Sequence, residues 1–219
     1  MPVRPLLPIL LASIIVACGG RERPAADSLS QRAESVAHRV DARTAPVFEV
    51  GLWPGEGIPV IAAVRNELPL LRSPSPDASS AGTLSVPAGS RITYDSTRLQ
   101  TMAAATVRVT DSAAVHGRFL GALHSLSRES YYSNAFHDTT IRVGPSESFE
   151  YLQPRAEGSC FVRIDSSVVE ANPCPAHDSA SFAIPGEPQL LWWIFARGDS
   201  ISAWLLVSDS TARVVRREF

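Results

Sequence analysis

The pattern of apolar and polar positions changes character twice along the chain. Residues 6–16 form an apolar run broken by little else than a proline and a serine, residues 19–45 are polar with few large apolar groups, and short β-rich runs begin at Pro46. Those runs predict strands near PVFEV, IPVIAAVR, LPLLR, GTLSV, RITYD, ATVRV, VHGRFL, YYS, FEYLQ, CFVRI, VVEA, LLWWIF, SAWLLV and ARVVRREF, separated by Pro, Gly, Ser and Asp. Short strands at regular spacing indicate an all-β chain of barrel or sandwich type. Upstream, Asp27 is placed to cap a short helix through Arg39, with Leu29, Val36 and Val40 near helical spacing. A flexible tether is the competing reading of the same residues. The expected organisation is residues 1–17, a polar tether over 18–45, and two tandem small barrels over 46–125 and 126–219, with one large β domain as the alternative.

The stretch LLWWIFARGDSISAWLLV, residues 190–207, is the most informative of these runs. On an extended chain Trp192, Ile194 and Ala196 share one face and Trp193 and Phe195 the other. Across the turn, Trp204 and Leu206 alternate with Leu205 and Val207. Strands apolar on both faces are covered on both, which predicts a core on one side and another domain, the tether or a partner on the other. The Arg-Gly-Asp tripeptide between them reads as a hairpin tip in which Gly198 and Asp199 tolerate positive φ. Trp193, on the outward face, is then an inter-domain contact if buried and a ligand contact if exposed.

The beginning of the chain bears on location. In MPVRPLLPILLASIIVAC a single positive charge at Arg4 precedes an apolar run that ends in small residues, the layout of a secretory signal peptide. The run falls short of the roughly 20 apolar residues that a spanning helix needs. Ile15-Val16-Ala17-Cys18 resembles the lipobox of bacterial lipoproteins, which implies cleavage before Cys18 and lipidation of Cys18. That resemblance makes residues 1–17 a lipoprotein signal peptide and places the chain in a bacterial cell envelope, held to a periplasmic or outer membrane surface by lipid.

Charge narrows the partners. All 20 basic side chains are arginine, against 22 acidic ones; removing residues 1–17 takes away Arg4 and no acidic group, so the formal charge moves from −2 to −3. Nucleic-acid binding is disfavoured, because it normally uses a basic surface to displace phosphate counterions.

Three cysteines less Cys18 leave Cys160 and Cys174, an even pair in an oxidising compartment. A disulfide between them is expected; the alternatives are two buried thiols or a metal site with His177, which would lack a fourth ligand and the usual close cysteine spacing. Five histidines include the pairs His137-Asp138 and His177-Asp178, expected in turns, where adjacency does not make a shared catalytic site. No His-Glu-x-x-His, Gly-x-Ser-x-Gly or glycine-rich phosphate loop occurs, so no catalytic residue, metal or cofactor is assigned. Tyr131 and Tyr132, next to Arg128 and Glu129, read either as a binding groove or as packing with one ring turned inward. Glu157 and Arg163 are placed to pair across a hairpin.

Two segments resemble bacterial SH3-like (SH3b) domains. In LPLLRSPSPDASSAGTLSVPAGSRITY a strand ending in Arg leads into a Ser/Pro loop, a Gly-Thr-Leu strand and a Pro-Ala-Gly turn. Arg72, Ser73, Pro74 and Ser75 stand where the family has Arg-Ser-Gly-Pro-Ser, with Gly missing and Pro76 added. The second segment, WWIFARGDSISAWLLV, resembles the family's Trp-bearing strand, polar hairpin and Gly-Trp-Val strand, with Ala203 in place of glycine. The resemblance implies SH3-like barrels, a binding or scaffolding role without catalysis, and peptidoglycan or an envelope partner's peptide as ligand, with Trp193, Tyr131 and Tyr132 as contacts. The region from Ala156 to Pro175 is an insert that the family pattern does not explain. An envelope enzyme or enzyme inhibitor on an unfamiliar β fold is the competing reading.

Overall fold

The computed structural model describes residues 45–218. The expected signal peptide (residues 1–17), Cys18 and the expected tether as far as residue 44 lie outside the described residues. The described chain is all-β, as its run lengths predict. Its first part holds β1 (Phe48–Val50), β2 (Ile58–Ala63), β3 (Glu67–Leu71), β4 (Ser80–Ser85) and the eleven-residue β5 (Thr93–Ala103). Next come β6 (Ala105–Val109), β7 (Ala113–Gly121), β8 (Ser125–Leu126), a six-residue helix α1 (Arg128–Ser133), and β9 (His137–Val143). They are followed by β10 (Ser148–Pro154), β11 (Cys160–Ile164), β12 (Ser167–Ala171), β13 (Phe182–Ala183), β14 (Gln189–Arg197), β15 (Ser202–Leu206) and β16 (Ala212–Glu218).

These strands form two seven-stranded sheets and a ribbon, none of them closed. The first sheet runs β4-β3-β15-β14-β5-β1-β8, the second β13-β6-β10-β11-β12-β7-β9, and β16 pairs with β2. Strands from both sides of residue 125 therefore share sheets. The two SH3b-like segments are neighbours in the first sheet: β14 lies antiparallel to β5, and β15 meets β3 at Trp204 and Leu71. The chain leaves this sheet after β5, builds the second sheet, and returns at β14; β8 alone comes back in between, parallel to β1.

Side-chain alternation explains the layering. Trp192, Ile194, Ala196, Leu205 and Val207 enter the main core with Phe48, Leu68, Leu70 and Leu99, and Leu152, Phe161 and Val168 of the second sheet pack into the same core. The opposite face of the second sheet holds a separate core of Val107, Val115, Tyr151, Val162, Val169 and Phe182. Because successive residues of a strand face opposite ways, Phe161 serves one core while Cys160 and Val162 serve the other.

The outward face at Trp193 is covered by the chain itself. Trp193 is 0% exposed and packs with Met102 and Leu191, flanked by half-buried Leu71, Trp204 and Leu206. Its indole N–H donates to Gln100 Oε1 at 2.9 Å, while Gln100 Nε2 donates to Pro74 O and to Glu49 Oε2, both at 2.8 Å. The Ser/Pro loop after β3 is thereby fastened beside this face. Buried tryptophan N–H groups need such acceptors. Trp192 finds one in Thr97 Oγ1 at 2.6 Å, and that hydroxyl donates onward to Trp193 O.

Several local expectations change. YYS is helical: Ser127 caps α1 by accepting from Ser130 N at 3.0 Å, and Glu129 lies in the first turn, a start signal that outweighs the strand preference of two tyrosines. The Arg-Gly-Asp tip closes a hairpin, with Gly198 N donating to Ile201 O at 2.8 Å. Neither Gly198 nor Asp199 has positive φ; a Cβ at residue 198 would instead stand 3.1 Å from the Ile201 carbonyl oxygen and 2.5 Å from Leu84 Cδ1, so the tightness of the turn, not its φ, disfavours a side chain there. His137 and Asp138 lie in β9, not in a turn, whereas His177 ends a short 3-10 turn.

Candidate functional site

The second sheet presents an open cleft of about 510 Å³, bounded by β7, β9, the end of β12, the hairpin before β11 and helix α1. Its construction starts with Gly117. A Cβ there would lie 2.1 Å from Glu170 O, so only glycine lets β7 run this close to β12. In that register Arg118 stands opposite Glu170 on one side and opposite Asp138 of β9 on the other.

Glu170 is a carboxylate with 9% of its side chain exposed, and three groups hold it. Arg118 donates to Oε2 through Nε at 3.0 Å and through a second nitrogen. The Tyr131 hydroxyl donates to Oε1 at 2.8 Å, and Arg155 Nε lies 3.9 Å from the same oxygen. The Tyr131 ring takes part as well, with the Arg118 and Arg155 guanidinium carbons 4.7 Å and 5.4 Å from its centroid. Burial raises the Tyr131 pKa, and the negative charge of Glu170 and its hydrogen bond raise it further, so the phenol remains a donor. Burial alone would lower Arg118, but the Glu170 hydrogen bond and charge prevail and raise it.

Two arginines against one carboxylate leave a surplus positive charge, and Arg118, with 37% of its side chain exposed, carries it into the cleft. Asp138, Thr139, Thr140, Glu157 and Asn172 add exposed or half-buried polar groups around it, and the buried Ser159, whose hydroxyl donates to Ala156 O, completes the lining. His116 Nδ1 and Thr140 Oγ1 are 3.0 Å apart across β7 and β9. The cleft thus offers a cation, two carboxylates, hydroxyls and an amide within one concave surface, while its buried carboxylate is fully engaged and serves to hold Arg118 and Tyr131 in place.

The sequence-derived residues distribute unevenly around this site. Tyr131 is 8% exposed and belongs to its wall; Tyr132 is 64% exposed and stands edge-on to Tyr131, with ring centroids 5.0 Å apart. One ring of the pair turns inward to pack and one outward to solvent. Trp193 presents no surface to a ligand. Half-buried Trp204 and Phe195, 5.4 Å apart, remain partly visible beside it, together with half-buried Leu71 and Leu206.

Cys160 and Cys174 form the expected disulfide, with Cα atoms 5.2 Å apart, which takes them out of any metal set with His177. Among the described residues no group of three or more His, Cys, Asp or Glu is placed to hold a metal ion. The disulfide joins the two segments that carry Ser159 and Asn172 to the cleft rim, helped by Cys174 N donating to Gly158 O at 2.8 Å. Arg163 pairs with Glu150 at 2.6 Å instead of Glu157, because the β10–β11 register sets Glu150 directly opposite it. Glu157 occupies the turn, with φ 57°.

Arg118, Asp138 and Glu170 escape a linear reading. They lie on three strands, and the only local signal is an Arg and a Glu in otherwise apolar strand runs. Comparison of the chain with protein-family models, curated proteins and solved structures finds no match.

Proposed function

We propose that the chain is a lipid-anchored bacterial envelope protein that acts as a non-enzymatic binding module and takes a peptidoglycan fragment in the cleft between β7, β9 and α1. In this reading one SH3-like unit, rather than two in tandem, is assembled from β2–β5 and β14–β16, and the second sheet is inserted into it. The adjacency of the two SH3b-like segments in the first sheet supports that arrangement. The lipobox-like Ile15-Val16-Ala17-Cys18 supports the anchor, and a disulfide suits an exported chain.

The observation that carries the ligand assignment is the mixed chemistry of the cleft. Arg118 offers a donor for a carboxylate, Asp138 and Glu157 offer acceptors for an amine, and the hydroxyls and Asn172 suit amide and sugar groups. Peptidoglycan carries all of these on one polymer, and exposed Tyr132 beside the cleft provides a face on which a sugar can stack.

Retention on purified sacculi tests the assignment. The wild-type chain is expected to be retained, and Tyr132→Ala with Asp138→Asn to be released at lower salt while keeping its fold. Absence of retention rejects peptidoglycan; retention of a defined envelope protein at the same cleft would replace it with a partner's peptide. Radioactive palmitate should label the chain, and a labelled Cys18→Ser variant would end the lipobox reading.

A further inference from the structure

A second surface lies on the β2–β16 ribbon. Among the described residues four large apolar side chains are exposed, and three of them are here: Ile58 at 46%, Val64 at 37% and Val215 at 51%. The register decides their direction. Ile61, Ala63, Ala212 and Val214 face the main core, so Ile58, Val60 and Ala62 lie on the opposite face, where Val60 and Ala62 are covered and Ile58 is open to solvent. Arg213 stands opposite Ala62 and Arg216 opposite Val60, which puts both arginines on that outward face. Arg91 bridges to Ala62 from the other side and joins them. A bulge between Val214 and Arg216 turns Val215 out of the pairing.

The charge on this face is one-sided. Glu218 lies 3.5 Å from Arg91 and 3.0 Å from Arg216, so one carboxylate partners two guanidinium groups while Arg213 adds a third. Exposed Arg65 follows directly on Val64. A chain with formal charge −2 therefore gathers a basic strip beside its exposed aliphatic groups. Arginine stems that lie along apolar surface while their heads reach charged groups are suited to an interface between water and lipid.

We propose that this ribbon face seats on an anionic lipid headgroup layer, with Arg91, Arg213 and Arg216 on headgroup phosphates and Ile58 and Val215 among the upper acyl carbons. The inference rests on the lipid-anchor reading. Each arginine near such a surface is worth about a fivefold gain in binding, which is weak for a free protein but sufficient for one tethered beside the membrane at high effective concentration. Seating would fix the side of the protein that faces the bilayer and leave the cleft directed by the fold.

Amide hydrogen exchange on the full chain, purified from the membranes of the producing cell and reconstituted in vesicles, tests the proposal. With about 30 mol% phosphatidylglycerol, exchange over 58–64 and 212–218 should slow relative to vesicles of phosphatidylcholine alone, and high salt should remove the difference. Arg213→Glu with Arg216→Glu should lower the ratio of seated to unseated chain at least about 30-fold, while circular dichroism stays unchanged. Equal exchange on both vesicle types overturns the proposal. Protection that follows protein concentration instead of lipid charge also overturns it and assigns the ribbon to a second copy of the chain. If the chain is recovered from the soluble fraction, the anchor reading fails by itself; co-sedimentation of that soluble chain with the same vesicles then reads the ribbon separately.

Discussion

Removing the carboxylate of Glu170 should be among the costliest polar substitutions in the second sheet. Glu170→Ala leaves the Tyr131 hydroxyl, the Arg118 guanidinium and Arg155 Nε without the oxygens that they face. Breaking a buried pair by deleting one partner costs about 3–5 kcal/mol. The lower part of that range applies, because Arg118 has 37% of its side chain in solvent and Arg155 has 14%. Screening of the more exposed group brings the expected loss to about 2–3 kcal/mol. For a β unit of this size that corresponds to a melting temperature lower by about 4–12 °C. Urea unfolding followed by tryptophan fluorescence measures it, with Trp192 and Trp193 reporting from the first sheet on a change made in the second. A double-mutant cycle with Arg118→Leu should show the two substitutions costing about 1–2 kcal/mol less together than separately. An alanine variant within about 0.5 kcal/mol of wild type, together with an additive cycle, would refute the claim that this cluster organises the cleft.

Gly117→Ala should destabilise by at least about 3 kcal/mol or fail to yield folded protein, since the added Cβ meets the Glu170 carbonyl on a paired strand; soluble yield and urea midpoints check it. Replacing Cys160 and Cys174 together by alanine should cost about 3 kcal/mol, given a sequence separation of 14, and the double variant should be insensitive to dithiothreitol, which lowers wild type to the same level. Tyr94 donates to Pro59 O at 2.6 Å, and burial raises its pKa to about 12. The protonated form is favoured in the fold, so this contribution is full below pH 10 and disappears as the pH rises toward 12. Tyr94→Phe should therefore lose about 1 kcal/mol at neutral pH, and its alkaline unfolding curve should fall less steeply than that of wild type.

Periodicity determined much of the first sheet in advance. The two-faced strands of residues 190–207 divide as their alternation requires, Trp192 into the main core and Trp193 onto the outer face. Setting Cys18 aside as the expected lipidation site leaves an even pair, Cys160 and Cys174, and the fold joins those two in a disulfide. What alternation cannot supply is pairing between distant strands, because a strand's pattern says which residues share a face and nothing about which strand lies beside it. That is why the SH3b-like segments read as two units while the fold joins them in one sheet. It is also why β9, polar in five of its seven residues with only Ile141 and Val143 apolar, carries no clear strand signal of its own although it forms the edge of the second sheet. Gln100, which accepts from the Trp193 indole, is itself held by the Pro74 carbonyl, a contact across 26 residues. The cleft is the extreme case. Arg118, Glu170 and Tyr131 come from two strands and a helix, and their meaning arises only when Gly117 lets two backbones approach and the shared desolvation of charge forces the three groups to satisfy one another.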